Sequence, residues 1–256
     1  MQLDACLRSI VRHAPYQGSI TVVYRATTEL SRQGYAQLET DERVQLIRQG
    51  DDFRGDVLHL LRQPGELVVF HTDDDLFFRT PPRAPLLPDG CASFSLRLGE
   101  NTTYCYPFRR DQPLPPRTEV EDFMVWEWTR ANDDFAYPMS LDGHLFSAEL
   151  VRSLAGSATF RDPNELEREL HLRRHRVPRL MASFRSSCVV SLPVNVVTDS
   201  IVNRSGVDPR LAPEALNEQF LRGVRIDLDG VDFTNVRAAH QEIPLAFSQA
   251  EDGPAE

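Results

Sequence analysis

A short apolar run followed by three consecutive carboxylates does most to limit what this chain can fold into. Leu67–Phe70 is rich in strand formers, and Asp73, Asp74 and Asp75 follow it after two residues. An apolar run of this length, bounded by the turn signal Pro64-Gly65, predicts a buried strand. Ligands in α/β sheets bind beyond the carboxyl ends of strands. The sequence therefore predicts a ligand site at residues 73–75.

Helical and strand periodicities alternate before this run. Apolar spacing predicts helices over residues 3–11 and 53–61, and polar content typical of a helix predicts another over 28–38. β-branched runs predict strands over 20–24 and 44–47. This alternation is typical of a doubly wound α/β fold, so we expect a mostly parallel central sheet flanked by helices.

The second half of the chain is less regular. Proline-rich loops are predicted at 81–88 and 107–117, and strands at 92–98 and 188–192. Helices are predicted at 164–174 and 213–221, and a polar C-terminal tail at 246–256.

Composition excludes several classes of function. All 28 basic residues are arginine, so Schiff-base, pyridoxal phosphate and Walker-lysine chemistry are excluded. A net charge of -10 argues against general nucleic-acid binding. The four cysteines have no C-x-x-C spacing, which predicts reduced and mostly buried thiols. No apolar run approaches the length of a membrane span and no signal peptide is evident, so we expect a cytoplasmic protein without a transmembrane segment.

The chain resembles the nucleotide-sugar-dependent glycosyltransferases of the GT-A fold, in particular the family 2-like enzymes with a DxD motif. The likeness rests on the order of the first helices and strands, the Asp73–Asp75 motif after the third strand, the segment Asp142-Gly143-His144, the helix that begins at Pro163, and the late His240. It implies a transferase that moves a sugar from a UDP- or GDP-sugar donor to an unknown acceptor. Residues 1–80 would bind the nucleotide sugar, residues 81–245 would form the acceptor side of the same domain, and 246–256 would be a tail.

The resemblance also implies a divalent metal, Mn²⁺ or Mg²⁺, that neutralises the diphosphate leaving group. Its ligands would be Asp73, Asp75 and His240, since hard oxygen donors and imidazole suit these ions. Asp73 and Asp74 would also contact the donor. A solvated turn is the alternative interpretation of the three aspartates, and an ordinary core or surface histidine is the alternative for His240.

Three acidic residues are candidates for catalysis. An inverting transferase needs a carboxylate that deprotonates the acceptor hydroxyl. In the resembled fold this carboxylate opens a helix of the second half, where Glu165 and Glu167 stand, although helix capping explains them equally well. Asp142 is the third candidate, either as a sugar contact or as part of an Asp-Gly turn.

Other contacts are predicted from position. Tyr24 and Arg25 end the first strand, where a ring could stack on the base and a guanidinium could meet phosphate. Arg204 is a further donor-binding candidate. Trp126, Trp128 and His144 are candidates for the acceptor site, with core packing as the alternative for one indole.

One departure from the family is that its first strand is apparently missing, because the sequence opens on a helix. We expect that the coding sequence starts upstream of Met1; a genuine truncation would favour a non-catalytic nucleotide-sugar-binding protein. A metal-dependent phosphohydrolase is a weaker alternative, since its Asp-x-Asp motif belongs near the first strand.

Overall fold

A computed structural model describes residues 1–16, 18–38, 41–63, 65–194 and 208–249, which form an α/β fold. The helices are α1 (Gln2–His13), α2 (Glu29–Ala36), α3 (Phe53–Leu60), α4 (Ala148–Gly156), α5 (Pro163–Leu172) and α6 (Pro213–Leu221). The strands are β1 (Ile20–Tyr24), β2 (Val44–Arg48), β3 (Leu67–Phe70), β4 (Asp75–Phe77), β5 (Cys91–Ser95), β6 (Tyr104–Cys105), β7 (Arg110–Asp111), β8 (Arg117–Val120), β9 (Phe123–Glu127), β10 (His144–Ser147), β11 (Leu180–Phe184), β12 (Val189–Ser191), β13 (Val224–Ile226) and β14 (Phe247–Gln249).

The predicted alternation of the first half is confirmed. From α1 to β3, helices and strands follow one another as the periodicity indicates, and β1 and β2 pair in parallel with Ile20 opposite Val44. Local capping defines the helix starts: the side chain of Thr28 accepts a hydrogen bond from the backbone of Ser31, and that of Asp52 from the backbone of Gly55. Such caps satisfy backbone donors that lack partners within the helix.

The central sheet is mixed, so the prediction of a mostly parallel sheet is wrong. Its six strands lie in the order β3-β10-β5-β11-β9-β8. Strands β5 and β11 are parallel, and all the other neighbours are antiparallel. One physical reason applies to β8 and β9, which are joined by two residues; a connection this short allows only a hairpin, whereas parallel strands need a long crossover.

Strands β1 and β2 form a sheet of their own, and β3 is an edge strand of the central sheet in the described residues. Both sheets nevertheless contribute to the same hydrophobic core. Ile20 of β1 and Val69 of β3 pack against one cluster of buried side chains, and Val23 of β1 and Phe70 of β3 pack against another. The nucleotide-binding half predicted for residues 1–80 is therefore packed as one body but is not one continuous sheet.

The two clusters lie on opposite faces of the central sheet, because neighbouring strand residues alternate between them. Phe94 and Phe184 belong to the cluster that α1 and α6 help to form, whereas Trp126 and Phe146 belong to the cluster that α4 and α5 help to form. This alternation is the period-two pattern of a sheet covered on both sides.

Two smaller sequence predictions have clear outcomes. The four cysteines are free and buried, as predicted. Part of the predicted polar tail, 246–256, is instead strand β14, which pairs with β13 in antiparallel register so that Phe247 lies opposite Ile226. None of the helices in the described part of the chain is long and apolar enough to cross a membrane.

Candidate functional site

The three aspartates occupy the tight turn between β3 and β4, at the carboxyl end of β3. The backbone N–H of Asp75 donates to the carbonyl of Thr72 at 3.1 Å, which closes the turn. Asp73 is exposed, Asp74 is half-buried, and the side chain of Asp75 is fully buried. The three neighbouring carboxylates therefore lie in three different environments.

Asp75 is held by two partners. The hydroxyl of Ser191 donates to its Oδ1, and Nδ1 of His71 lies 3.1 Å from its Oδ2. Ser191 reaches this position because β12 pairs with β4, with Ser191 directly opposite Asp75. Both carboxylate oxygens of Asp75 are thus already hydrogen-bonded within the protein, which fixes its orientation.

Asp142 joins the same cluster from the other side. Its Oδ1 accepts a hydrogen bond from the hydroxyl of Thr72 at 3.1 Å. Its Oδ2 lies 3.3 Å from Nη1 of Arg97 and 3.4 Å from Nε2 of His240. His240 is placed there because it bridges to Ser191, whose backbone accepts from Gln241 at 3.0 Å. Five separate parts of the chain therefore meet at this site: the aspartate turn, Arg97, Asp142, Ser191 and His240.

Arg97 is the residue at this site that the sequence interpretation missed. It is 4% exposed, and its guanidinium donates to the hydroxyls of Ser191 at 2.9 Å and Ser140 at 2.8 Å in addition to pairing with Asp142. Through Ser191 it links the Asp75 side of the site to the Asp142 side. The sequence did contain a signal: Arg97 is the only charged residue between Cys91 and Gly99, in a run otherwise read as a strand.

Gly143 explains how Arg97 fits. Its φ is +60°, a conformation that favours glycine, and a Cβ there would lie 3.0 Å from Cγ of Arg97. The group that approaches Gly143 closely is the side chain of Arg97.

The charges of the site shift its pKa values in opposite directions. Burial acts to raise the pKa of Asp142, but the charge of Arg97 and the hydrogen bond and charge of His240 outweigh it and lower that pKa. Burial and Arg97 act to lower the pKa of His240, and the hydrogen bond and charge of Asp142 outweigh them and raise it. Burial and the charges of Asp75, Asp142 and Asp73 raise the pKa of Asp74 to about 7. Asp142 and His240 thus stabilise each other as an ion pair. Asp74 instead lies near other carboxylates, whose negative charge adds to the effect of burial on its pKa.

The carboxylates of the aspartate turn suit a divalent cation, but the predicted ligand set of Asp73, Asp75 and His240 is not assembled. His240 contacts Asp142 and Arg97, whereas Asp75 contacts His71 and Ser191, so Asp73, Asp75 and His240 do not converge. Within the described residues, no group of three or more His, Cys, Asp or Glu side chains is arranged to hold a metal. The crowded carboxylates at Asp73 and Asp74 are nevertheless hard donors, and Mg²⁺ is commonly held by one or two carboxylates together with substrate phosphates.

The two candidate glutamates of α5 are separated by the structure. Glu167 points toward the site: its carboxylate accepts from the hydroxyl of Tyr137 at 3.0 Å and from the backbone of Leu141 at 2.8 Å, next to Asp142. Burial and the charge of Asp142 raise its pKa. Glu165 instead pairs with the exposed Arg161 at 2.7 Å, which is the surface role that the capping interpretation predicted.

The candidates for acceptor binding lie in the core. The side chain of Trp126 packs edge-on against Phe135 and donates to its carbonyl at 2.9 Å, and Trp128 donates to the carbonyl of Pro178 at 2.7 Å. His144 is 2% exposed, and burial lowers its pKa to about 3. None of the three side chains is open to an acceptor sugar, because all three residues are buried.

The donor-binding candidates have mixed outcomes. Tyr24 packs against Tyr35, with ring centroids 4.2 Å apart, and Arg25 is exposed beside it. Burial and the charge of Asp73 raise the pKa of Tyr35. Sequence reasoning missed Tyr35. Arg204 lies outside the described residues.

Comparison with known proteins adds no relative. The chain matches no protein-family model and no curated protein sequence.

Proposed function

We propose that this chain is a nucleotide-sugar-dependent glycosyltransferase of GT-A type. The observation that carries the proposal is that Thr72, in the turn that holds Asp73–Asp75, is linked through Asp142 to Arg97 and His240 at the carboxyl end of β3, where α/β proteins bind nucleotides. The pair formed by Tyr24, at the end of β1, and Tyr35 of α2 supports it, since aromatic rings suit a nucleobase.

Each residue has a role in this proposal. Tyr24 and Tyr35 contact the base of a UDP- or GDP-sugar, and Asp73 and Asp74 face its diphosphate. A Mn²⁺ or Mg²⁺ ion held by Asp73 and Asp74 would supply the positive charge that the diphosphate leaving group needs. The ion pair with Arg97 keeps Asp142 ionised, and an ionised carboxylate orients sugar hydroxyls by accepting their hydrogen bonds.

Glu167 is the stronger of the two glutamate candidates for a base. Its raised pKa brings a carboxylate closer to neutral pH, where proton transfer is most effective, and its bonds to Tyr137 and Leu141 hold it in place. The proposal includes a cytoplasmic site of action and an acceptor other than nucleic acid.

Nucleotide binding tests the proposal directly. Thermal unfolding of the full chain is measured with MnCl₂ and with UDP or GDP at about 100 times the dissociation constant. Ligand at this excess stabilises by about 2.7 kcal/mol, which corresponds to a rise in Tm of about 5–10 °C for a chain of this size. Asp73→Asn should abolish the rise, because it removes an exposed carboxylate that the proposal assigns to the ion and the diphosphate.

The matched control is Asp229→Asn, which alters an aspartate that is 77% exposed and paired with Arg12 on the surface. It should respond to nucleotide as the unaltered chain does. If no nucleotide raises the Tm of the unaltered chain, the proposal is wrong. If UDP or GDP binds but UDP- and GDP-sugars are never hydrolysed or transferred, the non-catalytic binding protein is the correct alternative.

A further inference from the structure

A surface groove lies next to the candidate site and has no role in the function proposed so far. It has a volume of about 350 Å³, which is within the size range of small-molecule sites. Its lining includes the buried Ile243 and the partly buried Leu245, which form its apolar base, and the exposed Asp232, Asn235 and Glu242. Polar groups thus surround an apolar base.

The groove is connected to the candidate site by a short piece of extended chain. Ser191 accepts from the backbone of Gln241 and donates to the carbonyl of Ala239 at 2.9 Å, so this segment runs beside β12. His240 contacts Asp142 within the site, and Glu242 lines the groove two residues later. Two residues of extended chain span about 7 Å, a little more than the width of one sugar ring.

The groove is fixed in shape by hydrogen bonds within its walls. The carboxylate of Asp232 accepts from the backbone of Thr234 at 2.9 Å, and the side-chain amide of Gln241 donates to the carbonyl of Asn235 at 2.9 Å. The hydroxyl of Tyr106, from the loop between β6 and β7, donates to Glu242. Ile243 anchors the floor, because it is 9% exposed and belongs to the core.

The chemistry of the walls selects the ligand. The described lining contains the carboxylates of Asp232 and Glu242 and no arginine, so a phosphate or carboxylate ligand would be repelled. Carboxylate and amide oxygens on the rim accept hydrogen bonds from hydroxyl groups, and an apolar floor suits the C–H face of a sugar ring. Uncharged polyhydroxyl compounds satisfy both requirements.

We propose that this groove is the acceptor subsite and that it binds a neutral sugar. The inference rests on the proposed function, because it assigns the acceptor of that same reaction. It also explains why Trp126 and Trp128 are not needed at the acceptor site: the sugar is held by polar rim groups and aliphatic side chains instead.

The test is saturation-transfer NMR on the full chain with methyl glucoside, methyl galactoside and methyl N-acetylglucosaminide, with glucosamine and glucuronic acid as charged probes. At least one neutral glycoside should receive saturation transfer, and glucuronic acid should receive none. Asn235→Trp should fill the groove from its exposed rim and weaken glycoside binding at least tenfold. Glu242→Gln should weaken it severalfold. Glu218→Gln, an exposed carboxylate on α6, is the matched control and should have no effect.

Each outcome decides the inference. Absence of transfer to every neutral glycoside overturns it, as does binding that Asn235→Trp leaves unchanged. Transfer to glucosamine alone would mean that the groove takes a cationic ligand, which also overturns the neutral-sugar assignment. Nucleotide binding is measured separately on the same variants and should not change in Asn235→Trp. If the unaltered chain binds no nucleotide, that result counts against the proposed function instead.

Discussion

Replacing Arg97 by methionine is the sharpest test of how the site is held together. Methionine fills much of the same volume but removes the charge and the donors to Ser140 and Ser191. Breaking a buried ion pair by removing one partner costs about 3–5 kcal/mol. The side chain of Asp142 is 16% exposed and keeps His240 as a partner, so we expect the low end of this range, about 3 kcal/mol.

The loss is measured by urea unfolding at neutral pH for Arg97→Met, Asp142→Asn and the double variant. Because the two side chains contact each other, the double-mutant cycle should give a coupling energy of about 1–3 kcal/mol. Arg161→Met is the control: its guanidinium is 85% exposed and pairs only at the surface, so its effect should stay within about 0.5 kcal/mol. A loss below about 1 kcal/mol for Arg97→Met, or additivity within about 0.5 kcal/mol, would refute the ion-pair account.

Three further predictions concern the rest of the fold. The pKa of His144 is about 3 in the folded chain and about 6.5 when unfolded, so protons bind the unfolded state preferentially as pH falls between these values. The free energy of unfolding should drop in this range by up to about 1.4 kcal/mol per pH unit as the pH falls. Urea unfolding at a series of pH values should show a smaller drop in His144→Gln; an equal drop in the two proteins contradicts a buried, neutral His144. Gly99→Ala should destabilise the chain by about 1–3 kcal/mol, because a Cβ would lie 2.5 Å from the backbone nitrogen of Ser187. Gly156→Ala, at the open end of α4, should stabilise it by about 0.5–1 kcal/mol. Calorimetry that ranks the two variants the other way would show that this account of the packing is wrong. A thiol reagent at pH 8 should react slowly with the folded chain and rapidly with all four cysteines in denaturant, because all are buried and burial raises the pKa of Cys91 to about 11; a fast-reacting thiol in the folded chain would disprove this.

Local patterns predicted the first half well and the second half poorly. The elements from α1 to β3 follow from apolar spacing because each is a regular, half-buried segment whose periodicity survives in the sequence. The strands β8, β9 and β11 escaped detection, since none of them alternates cleanly between polar and apolar residues: β8 is mostly polar, and β9 and β11 are short, mostly apolar runs. Whether Trp126 faced a ligand or the core could not be read from a two-residue alternation, because alternation gives two faces without saying which one is covered.

Arg97 shows a different reason why sequence reasoning fails at a site. Its partners Ser140, Asp142 and Ser191 are 43 to 94 residues away in the chain, and only the tertiary fold brings them together. An arginine within an apolar run signals that a buried counter-charge must exist, because an unpaired buried charge is too costly. The run does not say where in the chain that counter-charge stands.

The error in the sheet prediction and the position of Asp142 have the same cause. In a parallel sheet, the residues that precede a strand lie at the edge opposite the carboxyl ends of its neighbours, so a parallel β10 would have placed Asp142 far from Asp73–Asp75. Strand β10 is antiparallel to β3, with His144 opposite Phe70, and its entry therefore lies at the exit of β3. Continuing that register by two residues puts Asp142 opposite Thr72, where their side chains are hydrogen-bonded. The antiparallel orientation of β10 thus brings a second acidic segment to the aspartate turn.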